Sequence, residues 1–398
     1  MTDRILTVNA GSSSVKFAVF EARDVSTPVL KGQIDGIGAA PRLSVVDRDG
    51  KSIADKSWSK DAGHGPDDFL DELLKWVEEH PADIVVAAGH RVVHGGGTFT
   101  APVRIDEAVL RALERLTPLA PLHQPRNLAP IHALRRLRSD LPQVASFDTA
   151  FHRTMPDVAT RLALPRSLTD QGIRRYGFHG LSYEYIAGTL ARYDPALAAG
   201  RVVVAHLGNG ASLCALKAGK SVDTTMSFTT LDGLVMGTRS GALDPGVLLY
   251  LLQAKGLSPA DLEDLLYHRS GLLGVSGISG DMRALEKSDD PAAEEAIELF
   301  VFHAAREIAA MAASLGGLDG IVFTAGIGEH SPEIRRRISD RAAWLGVRFD
   351  QTANATGGPR LSTADSPVSV WVIPTNEEAM LARHTLDVLS ADIPSTGY

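Results

Sequence analysis

The 398-residue sequence predicts an α/β protein of two domains. Three observations predict it. Apolar, β-rich runs alternate with amphipathic helical patterns along the whole chain. The length exceeds what one ordinary core organises. Segment 5–20, a strand, an Asn/Gly/Ser turn and a strand, has the same form as segment 202–217, the turns carrying Asn9 and Asn209. The echo reads either as a duplicated fold in which each half contributes one phosphate-gripping hairpin, or as two unrelated glycine-containing hairpins.

In chain order, Ile5–Val8 and Val15–Phe20 are apolar and β-branched enough for two strands, and Val29–Ile37 and Leu43–Val46 continue as antiparallel strands. Pro66–Glu79 carries Phe69, Leu70, Leu73, Leu74 and Val77 at helical spacing. Ile84–Ala88 reads as a short buried strand. Asp106–Leu119 reads as a helix with Asp106 as its N-cap, and Pro125–Arg138 as another with basic residues in its last turns. Val144–Phe147 is a strand ending at Asp148. In the second half, Val202–Ala205 and Leu213–Leu216 flank the turn 206–212. Pro291–Leu315 is the longest helix, Ile321–Thr324 a strand entering the Gly-rich turn Ala325–His330, Val368–Ile373 the last strand and Asn376–Leu389 the last helix. Ser57–Pro66 and Asn354–Pro367 have linker composition, but neither reads as a domain boundary.

Composition narrows the function. Hydrophobic residues make up 44% and charged residues 22%, and the net charge is −8. An acidic balance argues against nucleic-acid or anionic-membrane surfaces. Cys214 is the single cysteine, which excludes an intramolecular disulfide and a cysteine-rich metal site. The start, Met1-Thr2-Asp3-Arg4-Ile5, has no signal-peptide pattern, and no apolar run reaches the ~20 residues of a membrane helix. A cytoplasmic protein is expected.

The chemistry gathers in loops. In Asn9–Lys16, small residues let backbone N–H groups approach an anion, Ser12 and Ser14 add hydroxyl donors, and Lys16 adds a charge; a plain Ser/Gly turn with a solvated lysine is the alternative. Ala218-Gly219-Lys220-Ser221 ends like a phosphate-binding P-loop, but Cys214 stands where its first glycine belongs. Gly208–Leu213 and Gly326–Ser331 begin like a dinucleotide fingerprint and lack the third glycine. In His90–Gly97, His90, Val92 and His94 share one side of an extended run, and Arg91 and Val93 the other. Arg91 can grip a carboxylate by two parallel bonds. The two histidines lack a third zinc ligand nearby. Asp148 ends a strand, His179 sits between glycines, Arg239 and Arg283 lie in Gly/Ser-rich loops, and Gly326–His330 precedes a helix beginning near Pro332 whose N-terminus suits a nucleotide. Glu377 either binds a metal or favours the helix N-terminus that follows it.

Together these segments resemble the acetate kinase family. Val8–Lys16 resembles its N-terminal signature, and His90–Gly96, Phe147–His152, Tyr176–Gly180, His206–Ser212, Met236–Pro245, Gly326–His330 and Pro374–Glu378 follow in the family's order over nearly the whole chain. The resemblance implies two duplicated ribonuclease-H-like domains of the actin-like ATPase type with an interdomain active-site cleft. The first would span 1–150 plus 375–398, the second, nucleotide-binding, 151–374. It implies Asn9 and Glu377 as magnesium positions, Lys16 as an ATP contact, Arg91 as the substrate-carboxylate contact, and Asp148, His179 and Arg239 as catalytic residues. It implies His206, Leu207, Gly208, Asn209, Gly210, Asp281, Met282, Arg283, Gly326, Ile327, Gly328, Glu329 and His330 as ATP-contacting. It further implies Mg²⁺ (Mn²⁺ substituting), ATP/ADP with acetate/acetyl phosphate as ligands, and a homodimer. One departure is Gln124, where the family usually has asparagine.

The implied reaction, ATP plus acetate giving ADP plus acetyl phosphate, has an acceptor already ionised at neutral pH, so no base is required. Alignment and charge stabilisation must supply the rate. Asp148 then positions Mg²⁺ through water, or an arginine, or forms an aspartyl-phosphate. Kinases of propionate or butyrate, and a non-metabolic ATPase of the same fold, are the rival readings.

Overall fold

A computed structural model describes residues 3–11, 14–36, 41–58 and 84–391. The expected helix Pro66–Glu79, and Ser12 of the first loop, lie outside the described residues. The chain divides into two compact units, 1–150 with 376–398, and 151–375.

The first unit is built on an eight-stranded sheet: β1 (Asp3–Ala10), β2 (Ser14–Glu21), β3 (Leu30–Asp35), β4 (Arg42–Asp47), β5 (Ser52–Ser57), β6 (Ile84–Val92), β7 (Val103–Arg104) and β8 (Gln143–Phe147). Its order is β5-β4-β3-β2-β1-β6-β8-β7. The meander β1 to β5 is antiparallel, and β6 and β8 add in parallel beside β1. Period-2 alternation gives β1 two buried faces. Leu6, Val8 and Ala10 join Val15, Phe17 and Val19 of β2 and Ala133 and Leu134 in one core. Ile5, Thr7 and Asn9 turn the other way. On β6, Gly89 allows a close approach: a Cβ there would lie 2.3 Å from the Thr385 hydroxyl of the helix Glu377–Ala391.

The second unit has a five-stranded sheet: β9 (Arg201–Leu207), β10 (Ala211–Lys217), β11 (Lys220–Thr224), β12 (Gly320–Thr324) and β13 (Ser369–Val372). Its order is β11-β10-β9-β12-β13, with β9, β10 and β11 antiparallel and β12 and β13 parallel to β9. The strands β3-β2-β1-β6-β8 repeat this arrangement, so a duplicated frame underlies the echo between residues 5–20 and 202–217. The helix Gly180–Tyr193 places Tyr183, Ile186 and Leu190 against Val202, Val204, Cys214 and Leu216. Among the described residues no helix is long and apolar enough to cross a membrane.

Two expected elements differ. The helix begun by Asp106 ends at Glu114, because Thr117-Pro118 starts a separate 3₁₀ turn; Asp106 accepts from Val109 N at 2.7 Å and is the N-cap. Ala325–His330, expected as a Gly-rich turn, is a six-residue helix.

Candidate active site

In the first unit, four side chains form one hydrogen-bonded network. β6 alternation sends Arg91 away from His90, towards the ends of β1 and β8. Arg91 Nε and Nη2 donate to the two Asp148 oxygens at 2.9 and 2.5 Å, and Nη1 donates to Asn9 Oδ1 at 3.1 Å. Asn9 Nδ2 donates to Glu377 Oε2 at 3.3 Å. Three of the five guanidinium N–H groups are thereby used, leaving two for a ligand. Burial opposes the Arg91 charge, but Asp148 more than offsets it and holds the arginine above its ordinary range. Burial raises the Glu377 carboxyl; Arg91 opposes this, and Asp148 and Glu378 add to it. Lys16 faces Asn9 across the β1–β2 pair. It is exposed in a groove of about 380 Å³ shared with Lys31, Gln33, Ser44 and Glu378.

The oxygen donors here suit a magnesium ion. Mg²⁺ takes one or two carboxylates and completes its shell with water and substrate phosphates. Glu377, raised by burial beside a second carboxylate, is a site short of positive charge.

In the second unit the hairpin β9–β10 closes on Gly208-Asn209-Gly210, with Gly208 N donating to Gly210 O at 3.1 Å. Gly210 is the floor of the site. A Cβ on it would lie 2.6 Å from Arg239 Nη2 and 3.3 Å from His179 Nε2. His179, left-handed at φ 58°, precedes the helix Gly180–Tyr193. His152, buried behind it, bonds the Phe178 carbonyl at 2.8 Å and Ser221 Oγ at 2.9 Å. Gly177 makes room, since its Cβ would lie 2.6 Å from the His152 ring. The His179 ring stacks on His206, centroids 4.2 Å apart, and His206 Nδ1 bonds Ser182 Oγ at 2.8 Å.

Arg239 donates from Nη1 to Thr230 O at 2.8 Å. Its loop is fastened from below: Ser270 N donates to Thr238 O, Leu272 N to Met236 O and Leu273 N to Gly237 O. Gly271, at φ +61°, is needed there, because a Cβ would stand 2.2 Å from Met236 O. Gly237 N donates to Asn209 O at 3.0 Å, and Gly280 packs on Gly237. Turn, arginine loop and the start of Asp281–Arg283 are therefore one connected surface.

The other expected nucleotide contacts divide. Asp281 and Arg283 are exposed and paired at 2.7 Å. Leu207 and Met282 are buried, so only their backbones can meet a ligand. Gly326 and His330 are exposed, and Ile327 is half-buried. Gly328 is buried, and a Cβ on Gly208 would lie 3.8 Å from that of Ala325. Glu329 is occupied structurally, accepting from Ala325 N at 2.8 Å and Thr375 N at 3.1 Å. The helix Pro332–Arg341, whose N-terminus was expected to suit a nucleotide, is capped at that end from within the chain. Buried Ser331 caps it, accepting from Ile334 N, and donates its hydroxyl to Glu286.

Sequence reasoning gave no individual role to Ser212, Tyr183 or Arg335. Alternation along β10 puts Ser212 on the face of Cys214 and Leu216, a signal that was available. Arg335, fully buried, donates to Gly328 O, Glu329 O and Asn354 Oδ1 at 2.8–2.9 Å and anchors the turn 325–330. Gln124 is buried and donates to His94 O and Leu113 O, so its departure from asparagine bears on loop anchoring.

A family model described as the acetokinase family matches residues 4–383. The chain is 55% identical over 391 residues to an acetate kinase of Rhodopseudomonas palustris, covering 96% of this chain and 98% of that one. It is 52% identical over 389 residues to an acetate kinase of Nitrobacter hamburgensis, covering 97% and 96%. Among solved structures, a propionate kinase from Francisella tularensis superposes with a TM-score of 0.89 at 37% identity, covering 97% of this chain and all of that one. Porphyromonas gingivalis acetate kinase superposes with a TM-score of 0.85 at 35% identity, with the same coverage.

Proposed function

The chain belongs to the acetokinase family, and from that premise we propose the reaction its residues are fitted for: reversible transfer of the ATP γ-phosphoryl group to acetate, giving acetyl phosphate and ADP. The observation that carries the reading is the convergence of His179 Nε2 and Arg239 Nη2 over Gly210. Phosphoryl transfer spreads negative charge over three equatorial oxygens, and fixed donors aimed at them lower the barrier without reorganisation. Gly208–Gly210, with the neighbouring segments 281–283 and 326–330, would carry the nucleotide.

The first unit supplies the acceptor chemistry in this reading. Arg91 binds the acetate carboxylate with its two remaining N–H groups and reduces its repulsion from the phosphates. Asp148 holds the Arg91 fork. With both its oxygens engaged by the arginine, Asp148 is poorly placed to be a phosphorylated nucleophile, which favours direct in-line transfer. Asn9 and Glu377 would hold Mg²⁺, which supplies charge neutralisation of the nucleotide phosphates. Lys16 adds a cation for the nucleotide.

A homodimer is part of the proposal. The helix Pro245–Gln253 is apolar at six of nine positions, yet none of its side chains is buried, and Leu249 and Tyr250 are each 54% exposed. A second copy of the chain would cover it, and sedimentation would give one dimeric species.

The test is a hydroxylamine trap for acyl phosphate with ATP, Mg²⁺ and acetate. Signal dependent on all three supports the reading, and its absence with acetate, propionate and butyrate alike overturns it. The ratio of turnover on acetate and propionate also separates the two activities named among the solved relatives.

A further inference from the structure

Behind His179 lies a buried pair of hydroxyls that the reaction as described leaves without a role. His179 Nδ1 is 2.8 Å from Ser212 Oγ, and Ser212 Oγ is 2.5 Å from the Tyr183 hydroxyl. Ser212 and Tyr183 are both fully buried. Tyr183 is wedged between two histidine rings, edge-on to His152 at 5.6 Å and to His206 at 6.3 Å. Its hydroxyl has no freedom to turn to water.

Proton counting decides the direction of this chain. Ser212 has one proton and two partners, and Tyr183 has one proton and, among the described residues, the single hydrogen-bond partner Ser212. If Tyr183 donates to Ser212, the serine proton passes to His179 Nδ1, and every buried proton has an acceptor. If His179 Nδ1–H donates to Ser212 instead, either Ser212 donates to Tyr183 and the phenol proton is stranded in the core, or Tyr183 also donates to Ser212 and the serine proton is stranded. Buried donors are rarely left so. Burial also holds the phenol well above its ordinary range, so Tyr183 keeps its proton to give. Nδ1 is therefore the acceptor, and the ring proton sits on Nε2, the nitrogen facing Gly210 beside Arg239 Nη2.

We propose that Ser212 and Tyr183 are positioning residues that fix His179 in its Nε2–H tautomer, presenting a neutral N–H donor beside the Arg239 guanidinium. The proposal rests on the kinase reading for its catalytic consequence, but the tautomer itself does not. The strand register explains how the relay is built. Ser212 pairs with His206 at the turn end of the β9–β10 hairpin, where the apolar face of Val202, Val204, Cys214 and Leu216 gives way to polar residues. Helix periodicity then brings Tyr183 over that position, four residues after His179.

Two measurements test it. In long-range ¹H–¹⁵N spectra of the intact protein labelled at histidine, the resonance that disappears in His179→Gln should show a pyridine-type Nδ1 and a protonated Nε2. Ser212→Ala should shift both nitrogens towards tautomer averaging. A protonated Nδ1 in the wild type overturns the proposal, whatever the enzyme does. In the acyl-phosphate assay, Ser212→Ala should lower kcat by about 10-fold to 100-fold with both KM values within twofold, as for loss of a hydrogen bond to a group that becomes polarised. Ser212→Thr should restore kcat to within about threefold. In a His179→Ala background, Ser212→Ala should cost nothing further, because its effect runs through the ring. Additive losses, or no rescue by threonine in a variant that melts like the wild type, also overturn it. A wild type that makes no acyl phosphate sinks the kinase reading and leaves the spectra to judge the tautomer alone.

Discussion

The hairpins β1–β2 and β9–β10 occupy the same place in their sheets and carry different polar side chains. The first ends on the pair Ala10 and Val15, the second on Leu207 and Ala211. One pair inward from each turn, the first has Asn9 opposite Lys16 and the second has His206 opposite Ser212. Asn9 enters a charged network of Arg91, Asp148 and Glu377. His206 and Ser212 support the His179 ring, His206 by stacking and Ser212 by a hydrogen bond to Nδ1. A duplicated frame thus fixes where the pair stands, and on the proposed reading the residues at that pair decide whether the hairpin serves a cation and a carboxylate or a developing phosphoryl charge.

The largest expected effect tests that division directly. Arg239→Ala should lower kcat by about 1000-fold, the scale on which an arginine meeting transferring phosphoryl charge acts. Its acetate KM should move much less. Asp148→Asn leaves Arg91 without its bidentate partner and should lower kcat/KM for acetate by about 100-fold, the cost of misplacing a positioning group by an ångström. A raised acetate KM should carry much of that loss. Steady-state kinetics in both substrates checks both variants. If the two give the same pattern of kcat and KM, the hairpins do not divide the work as described.

The turn glycines sharpen the contrast. At Gly210 a methyl group would stand 2.6 Å from Arg239 Nη2, whereas at Gly11 the nearest described atoms would be Ser14 O at 3.3 Å and Ser14 Oγ at 3.6 Å. Gly11 is also free of positive φ, so alanine fits its backbone. Gly210→Ala should therefore cost about 30-fold in kcat by displacing the two donors. Gly11→Ala should stay within about twofold, with both proteins melting like the wild type. Equal losses would mean that both turns hold reacting groups.

Much of this frame was legible. Apolar, β-rich runs assigned β1, β6 and β9, and the echo of 5–20 in 202–217, open between duplication and two unrelated hairpins, proves to be a repeated sheet arrangement. The echo also misled on one point. It matched Asn9 with Asn209, yet the register puts Asn9 inside a strand and Asn209 at the middle of the turn, its side chain against Gly237. Three residues of turn replaced a longer one, and sequence form does not record that shift. The Arg91–Asp148 fork was open from sequence, because Asp148 had an arginine, a metal and a phosphate as possible partners. The relay through Ser212 and Tyr183 was hidden for another reason. It joins a strand to a helix begun by a left-handed histidine, and no local pattern links positions 179, 183 and 212 until the helix is packed on the sheet. Arg335 is one of three consecutive arginines, and its burial tells it from Arg336 and Arg337, which pair with Glu333.

The smallest expected effect concerns stability, and it again sets the units apart. The buried histidines of the second unit are hydrogen-bonded, His152 to Ser221 and Phe178, His206 to Ser182. In the first unit His90 is buried beside the Gln143 amide, and burial pushes it down to about 4, the amide opposing only in part. A histidine depressed in the fold stays neutral while the unfolded chain takes up a proton. Stability is then complete above about pH 6.5 and is lost as the pH falls towards 4, because the unfolded state binds more protons over that interval. The loss attributable to His90 by pH 4.5 is roughly 2–3 kcal/mol. His90→Leu keeps the volume and removes the titration. Thermal unfolding between pH 7 and 4.5 should fall less steeply in the variant, with activity at pH 7 within about twofold of the wild type. His90 shares its strand with Arg91 but faces the opposite way, so the acid-sensitive core and the charged network are separate consequences of one alternating strand. Parallel slopes for the two proteins would place the acid sensitivity elsewhere and remove this difference between the units.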